Sequence, residues 1–142
     1  MPPPSPSPAR RLLAIAPVFF VSDIRRAAAY YRDQLGFAYD RLWGDPPGFC
    51  MVRRDGFTLM LKQARDRARV RPNGADHEMW DAYVWVEDAD ALHAEVAARG
   101  ASIHYKPEDQ EDYGNREFAV RDPDGYVVAF GHDIRAKKKR MG

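Results

Sequence analysis

The sequence predicts an α+β fold in which two βαβββ half-repeats form a curved eight-stranded mixed sheet, shaped like a cup. Three observations predict it. An amphipathic helix pattern occurs twice with a shift of about 65 residues, a short apolar run precedes each copy, and strand-like segments separated by turn residues follow each copy. Helices would cover one face of such a sheet, which leaves the concave face available to a small molecule.

The two predicted helices carry the same boundary signals. The first begins after Asp23 and ends at Gly36, and the second begins after Asp88 and ends at Gly100. An Asp side chain can accept hydrogen bonds from the free amides at a helix start, and Gly readily adopts the left-handed conformation that ends a helix. The two halves are therefore expected to share one structure.

Three strands are predicted after each helix, over residues 37–42, 49–53, 57–63, 102–106, 116–121 and 126–131. The last two are separated by Asp122-Pro-Asp-Gly125. That motif could be read as a carboxylate pair for acid–base chemistry, but its Pro and Gly are typical of a tight turn. We interpret it as a turn.

The chain of 142 residues suits a single domain. The proline-rich start and the basic end are too polar to bury a core of their own. The predicted segments are a disordered leader (1–11), one folded domain (12–134) with half-repeats over about 12–64 and 79–134, a charged linker (about 65–78) and a flexible basic tail (135–142).

Composition argues against several classes of partner. The chain has 22 Lys and Arg against 21 Asp and Glu, so its net charge of +1 gives no field that would attract nucleic acid or an anionic membrane. The apolar run over residues 12–21 is interrupted by Pro17 and is too short to span a bilayer. The single Cys50 has no disulfide partner in the chain, which favours a cytoplasmic location.

Three motifs in order carry a family resemblance: Pro17-Val-Phe-Phe-Val-Ser-Asp23, then Tyr30-Tyr31 with Leu35-Gly36-Phe37, then Asp122-Pro-Asp-Gly-Tyr126. They resemble the vicinal oxygen chelate superfamily, which includes glyoxalases, extradiol dioxygenases, fosfomycin resistance enzymes and bleomycin resistance proteins. Two further stretches, Ala82-Tyr-Val-Trp-Val86 and Arg116-Glu-Phe-Ala-Val-Arg-Asp-Pro123, are most similar to bleomycin resistance proteins. The resemblance implies a homodimer that sequesters a planar antibiotic between its subunits without changing it.

The same resemblance provides a test for a metal site. Enzymes of the superfamily hold a divalent ion with four inward-facing side chains, and the matching positions here are Ala16, Met60, Asp81 and Ala129. Only Asp81 among them could coordinate a metal. We therefore predict no metal, no cofactor and no catalytic residues, and a binding protein rather than an enzyme.

Strand alternation predicts which side chains point into the cup. If Asp81 points inward, so do Tyr83 and Trp85, whereas Ala82, Val84 and Val86 face the helix. The predicted ligand-binding residues, including three near the rim, are Phe20, Trp43, Phe49, Met60, Asp81, Tyr83, Trp85 and Tyr113. Flat rings favour a planar or hydrophobic ligand, although the same rings could fill the interior or cover a dimer interface.

Two alternatives stay open. A metal-dependent lyase or dioxygenase would need ligands displaced to His77, Asp81 and His132, and an interaction module would have a filled cup. Two features also differ from bleomycin-binding relatives: the net charge is near zero, and no tryptophan precedes the Arg116-Glu-Phe stretch, where the nearest aromatic residue is Tyr113. The identity of the ligand therefore stays open.

Overall fold

The computed structural model describes residues 9–73 and 79–135. Most of the predicted leader and tail, and residues 74–78 of the predicted linker, lie outside them. Within the described residues the elements are β1 (Val18–Val21), α1 (Ile24–Asp33), β2 (Phe49–Arg54), β3 (Phe57–Gln63), a 3₁₀ turn (Arg67–Arg69), β4 (Ala82–Trp85), α2 (Ala89–Ala98), β5 (Ser102–Gln110), β6 (Asn115–Arg121) and β7 (Val127–Asp133). No helix among them is long and apolar enough to cross a membrane.

The strands form two sheets with matching topology. One has the order β1-β3-β2 and the other β4-β7-β6-β5. In each sheet the strand before the helix pairs in parallel with the last strand of its half, with Val18 opposite Met60 and Tyr83 opposite Ala129, and the remaining pairs are antiparallel. This topology confirms the predicted α+β fold of two related halves that form a cup-like sheet.

The predicted helix boundaries are confirmed. The side chain of Asp23 accepts a hydrogen bond from the Arg26 amide at 3.1 Å, and that of Asp88 accepts one from the Ala91 amide at 3.1 Å. After each helix a glycine has a positive φ, +75° at Gly36 and +88° at Gly100. These local signals place the two helices at equivalent points of the two halves.

The predicted strand over residues 37–42 is wrong. That segment makes only isolated bridges, one between Ala38 and Arg53 and one between Trp43 and Phe49, so the described chain has seven strands rather than eight. Its apolar residues pack against the core as coil instead. Just beyond it, Pro46 and Pro47 have no backbone N–H, so this part of the chain cannot continue a hydrogen-bonded ladder.

Each sheet has a covered face and an open face. On β1, Phe19 and Val21 are buried beneath the helices, whereas Val18 and Phe20 are exposed on the other side. The covered faces of both sheets and the two helices share one hydrophobic core, whose largest fully buried apolar side chains include Tyr31, Phe118, Leu35 and Leu61. The open faces lie outside this shared core.

Polar contacts also join the two halves through the covered side. The Tyr31 hydroxyl donates to the buried Asp122 carboxylate at 3.0 Å, and the Tyr30 hydroxyl donates to the Arg121 carbonyl at 2.7 Å. Arg54 of β2 pairs with Glu95 of α2 at 2.7 Å. Helix α1 therefore supports the second sheet as well as its own.

Candidate functional site

The open face of the second sheet is lined by large rings on a floor of small side chains. The floor consists of Ala119, Val127 and Ala129, which form a second buried cluster separate from the main core. Because alanine side chains are short, aromatic rings can lie close to the sheet. We call the set of rings above this floor the aromatic face: Trp80, Tyr83, Trp85, Tyr105 and Tyr113.

Three of these rings form a continuous row. The ring centroids of Trp80 and Tyr83 are 4.7 Å apart, and those of Tyr83 and Trp85 are 4.8 Å apart. Tyr113 approaches Trp80 edge-on at 6.3 Å. Trp85 is 71 % exposed and Tyr113 is 38 % exposed, so the row is open to solvent at both of these residues.

A buried carboxylate lies within this aromatic face. Glu117 of β6 is 1 % exposed. Its carboxylate accepts hydrogen bonds from three phenols, those of Tyr83 at 3.1 Å, Tyr105 and Tyr113. Among the described residues no cationic side chain pairs with it. The three hydroxyl groups therefore take the place of water around a charge that would be costly to bury alone.

The phenols are held as hydrogen-bond donors. Burial, together with the nearby Glu117 charge, raises the pKa of Tyr83 to about 12, although the hydrogen bond from Asn115 lowers it. Burial, and then the hydrogen bond to Glu117, also raises the pKa of Tyr105 and of Tyr113. All three hydroxyls therefore keep their protons at neutral pH and continue to donate to the carboxylate.

A glycine makes room for the cluster. A Cβ atom at Gly131 of β7 would lie 2.1 Å from the Tyr83 hydroxyl oxygen and 3.1 Å from the Cβ of Glu117. The first distance is incompatible with the present position of the Tyr83 ring, and the second would require Glu117 to shift slightly. The absence of a side chain at Gly131 therefore allows Tyr83 to cross the sheet and reach Glu117.

The open face of the first sheet has a different character. It carries Val18 and Phe20 of β1 beside the half-buried Met60 of β3. The three buried polar residues in the described chain, Asn115, Glu117 and Asp122, all belong to the second half. The first sheet therefore offers a mixed surface, in which these apolar side chains lie beside the exposed Lys62 and Arg53, and the described residues include no buried polar centre there.

A cleft of about 810 Å³ lies between the two halves. Val18 and Phe20 line it from the first half, Asp81 and Tyr126 line it from the second, and Arg69 and Arg71 of the linker close one side. Tyr83 and Trp85 are outside it. This cleft and the aromatic face are therefore two separate candidate binding regions within the described residues.

The structure brings together some of the predicted site residues. Tyr83, Trp85 and Tyr113 share the aromatic face, whereas Phe20 and Asp81 line the cleft. Both carboxylate oxygens of Asp81 accept backbone hydrogen bonds, from the Asn73 amide at 2.7 Å and the Val127 amide at 2.9 Å. Asp81 therefore connects the linker to β7 through hydrogen bonds. Its role toward a ligand stays a prediction, as do the roles of the other seven predicted ligand-binding residues.

The predicted rim residues Trp43 and Phe49 form a separate pair at the start of β2. The Arg41 guanidinium lies 3.5 Å from the centre of the Trp43 ring, and the Trp43 amide donates to the Phe49 carbonyl at 2.9 Å. In the described part of the chain no ring contact connects this pair to the aromatic face.

Sequence reasoning missed Glu117, Trp80 and Tyr105. A signal for Glu117 was available, because it alternates with the apolar Phe118 and Val120 on one strand, and a carboxylate at such a position must face the cup. Trp80 precedes β4, and its indole N–H donates to the Tyr105 hydroxyl at 2.9 Å. That contact joins two distant segments, so no local pattern indicates it.

The residues present do not suit a metal centre. Ala16 and Ala129 have no donor atom at two of the four positions where the superfamily's enzymes hold their ion. For the displaced set, His77 lies outside the described residues, and His132 faces the helix, where its Nδ1 accepts from the Ala89 amide at 2.9 Å. Within residues 9–73 and 79–135 no three His, Cys, Asp or Glu side chains are grouped so that they could hold a metal.

A comparison with protein-family models gives a match over residues 12–130, to the glyoxalase/bleomycin resistance protein/dioxygenase superfamily. The chain belongs to this superfamily. The match confirms the resemblance seen in the motifs, and it covers both half-repeats. A comparison with curated proteins found no match.

Solved structures of the superfamily's fold include antibiotic-binding proteins. The bleomycin-binding protein of Streptomyces verticillus, solved with copper(II)-bleomycin, is 29 % identical with a TM-score of 0.60, over 85 % of this chain and 96 % of that one. TnmS3, an antibiotic binding protein from Streptomyces sp. CB03234, is 19 % identical with a TM-score of 0.67, over 87 % and 97 %. TioX from Micromonospora sp. ML1 is 21 % identical with a TM-score of 0.66, over 85 % and 98 %.

Proposed function

We propose that this protein holds a planar aromatic small molecule on its aromatic face and sequesters it without changing it. The observation that carries the proposal is the 71 % exposure of Trp85, which continues a row of rings that is otherwise packed on the sheet. An exposed indole beside other rings offers stacking and area burial to a flat ligand. The similarity to the bleomycin-binding protein supports an antibiotic as the ligand class.

The donor chemistry supports binding without a resident metal or cofactor. Two of the four superfamily positions are alanine, and both oxygens of Asp81 already accept backbone hydrogen bonds. The displaced alternative is disfavoured because His132 faces α2, on the opposite side of the second sheet from Tyr83. Metal-dependent lyase or dioxygenase chemistry therefore has no suitable ligand set among the described residues.

A second copy of the chain completes the site in this proposal. Val18 on the first sheet is 51 % exposed, and with Phe20 it forms an apolar surface that nothing else in the described chain covers. Exposed apolar patches of this kind mark interaction surfaces. In a two-fold homodimer the open face of one protomer's first half can lie against its partner's aromatic face, with the ligand between them. The net charge of +1 gives no general attraction to nucleic acid or an anionic membrane, and the single Cys50 suits a cytoplasmic location.

Isothermal titration of the full chain with bleomycin and with a panel of planar dyes tests the proposal. We expect at least one compound to bind, and Trp85→Ala to weaken that binding roughly tenfold or more, since a buried tryptophan commonly contributes about 2 kcal/mol to binding. Phe57→Ala is the matched control, because Phe57 is 70 % exposed at the tip of the β2–β3 hairpin. Absence of binding across the panel would contradict the proposal.

Two further measurements test whether the ligand is left unchanged and whether the protein is a dimer. Mass spectrometry of the ligand recovered after incubation should show its mass unchanged, and a new product would indicate an enzyme. Sedimentation velocity should give twice the monomer mass. A protein that is monomeric and still binds the ligand would rule out a site shared between two protomers.

A further inference from the structure

The charge of Glu117 is unneutralised by the described chain. The nearest basic neighbour in sequence, Arg116, points to the covered side, where it pairs with Asp90 at 2.8 Å and with Asp109 at 3.0 Å. Within the described residues, the Glu117 carboxylate forms hydrogen bonds only with phenol hydroxyls, which are neutral. Because the faces of aromatic rings are also negative, charge and rings together give this face an electrostatic preference for a cation.

The hydrogen bonds around Glu117 leave one acceptor open. A phenol oxygen has one proton to donate and can also accept. The Tyr83 oxygen accepts from the Asn115 side-chain amide at 2.8 Å, and the Tyr105 oxygen accepts from the Trp80 indole at 2.9 Å. The Tyr113 oxygen donates to Glu117 and accepts from no group in the described residues. Tyr113 is also the most exposed of the three.

We infer that the ligand bears a cationic N–H group, an amine, amidinium or guanidinium, on its planar body, and that this group donates to the Tyr113 hydroxyl oxygen in front of Glu117. This inference rests on the proposed function, because it names the chemistry of a ligand bound to the aromatic face. In the bound state the N–H donates to Tyr113, and Tyr113 donates to the carboxylate. The negative charge at the end of this chain strengthens both hydrogen bonds.

The geometry gives the two parts of the ligand separate partners. Trp85 and Tyr83 provide the ring surface for the planar body, while Tyr113 donates to Glu117, which lies opposite Gly131 on β7 and is therefore level with Trp85 across the sheet. A neutral flat molecule would use only the first set of contacts. An anion would be repelled by Glu117, so the face should discriminate among molecules of the same shape by their charge.

Three acridines of nearly the same shape separate these contributions. Aminoacridine is a cation with N–H donors at neutral pH, N-methylacridinium is a cation without them, and acridone, used as its N-methyl derivative, is neutral and has no N–H donor. Fluorescence titration of the full-length protein should give the tightest binding for aminoacridine, weaker binding for N-methylacridinium and the weakest for acridone, with about tenfold between the extremes, as expected for a charge-assisted hydrogen bond.

Two variants assign that preference to residues. Tyr113→Phe should reduce aminoacridine affinity to about that of N-methylacridinium and change N-methylacridinium affinity by less than about twofold, because only the former donates to the missing oxygen. Glu117→Gln should weaken both cations and leave acridone unchanged. Tyr39→Phe is the matched control, since Tyr39 interacts with Arg32 near the surface and away from this face. If Glu117→Gln does not fold, the three acridines measured on the wild type and on Tyr113→Phe still test the inference.

The outcomes distinguish this inference from the proposed function. If none of the three acridines binds and no other planar compound binds, the proposed function fails and the inference fails with it. If the acridines bind with equal affinity, or if Tyr113→Phe and Glu117→Gln leave the preference for aminoacridine intact, the aromatic face still binds planar molecules but the inference is overturned.

Discussion

The two half-repeats share one topology and carry different chemistry on their open faces. Among the described residues, the first sheet presents Val18, Phe20 and Met60 beside the exposed Lys62 and has no buried polar centre, while the second presents a row of rings around the buried carboxylate of Glu117. Both sheets are held by their covered faces, so the open-face side chains can differ without altering the backbone pattern. The covered faces thus specify the fold, and one open face carries the recognition chemistry.

The two helices differ in a complementary way. Helix α1 buries five side chains, including Tyr30 and Tyr31, which reach the second half, whereas α2 buries only Ala89 and Val96. The first half therefore contributes much of the shared core and supports the second sheet. This division is consistent with a second half that holds a charged cluster on its open face.

The largest expected effect separates the two faces of the second sheet. Phe118→Ala removes a fully buried ring stacked on Phe130, and should lower the free energy of unfolding by about 3–5 kcal/mol. Trp85→Ala should change it by less than about 0.5 kcal/mol, because that indole is mostly exposed. Urea denaturation of both variants measures the difference, and similar losses for the two would contradict the division between faces.

Asp122, which α1 contacts through Tyr31, should make the free energy of unfolding depend on pH. Burial raises the pKa of Asp122 to about 6, whereas its ordinary value is 3.8. The folded chain then binds a proton that the unfolded chain releases, so this group's stabilisation is complete below about pH 4 and is lost as the pH rises to about 6, a change of about 3 kcal/mol.

Comparing the wild type with Asp122→Asn isolates that contribution. The free energy of unfolding of the variant, measured at several pH values from 4 to 7, should lack this fall, while lowered carboxyl pKa values elsewhere, such as that of Glu95 beside Arg54, affect both proteins equally. Parallel curves for the two proteins would show that Asp122 does not titrate in this range.

A smaller effect should come from closing the space beneath Tyr83. Gly131→Ala places a methyl group 2.1 Å from the Tyr83 hydroxyl oxygen, and should cost about 1–3 kcal/mol through overpacking while weakening ligand binding. Gly48→Ala is the matched control in the first half, because the nearest atom to its new methyl group is 3.7 Å away. Thermal unfolding and titration of both variants provide the test, and equal behaviour would remove the role assigned to Gly131.

The smallest effect should come from the ion pair between β2 and α2. Glu95→Gln removes the carboxylate that pairs with Arg54, but both side chains are partly exposed, so the cost should be at most about 1 kcal/mol and should shrink at high salt. Denaturation at low and high salt checks this. A loss of several kcal/mol would mean that the halves depend on this pair rather than on the shared core.

Signals within a few residues predicted the fold well. Asp23, Gly36, Asp88 and Gly100 mark helix ends because capping depends on neighbouring backbone groups. Alternation along β1 and β4 correctly placed Phe20 and Tyr83 on the open faces. The strand over residues 37–42 was wrong because its alternating apolar residues pack as coil and find a sheet partner only at single positions.

The candidate site shows the limit of such local signals. Strand parity indicated Tyr83 and Trp85, and Tyr113 was named from its position near the loop before Arg116, and the role of all three toward a ligand stays a prediction. The Glu117 cluster joins residues from β4, β5, β6 and the β5–β6 turn, so its hydrogen bonds exist only after the sheet has formed. The cleft between β1 and the linker also depends on long-range packing, which local patterns do not encode.

The most direct test of the central claim is a crystal structure of the full chain with bound aminoacridine. We predict density for the acridine stacked on Trp85, with its amino group within hydrogen-bonding distance of the Tyr113 hydroxyl. Density found only in the cleft beside Phe20 and Asp81, with the aromatic face empty, would contradict the assignment of recognition to the second half.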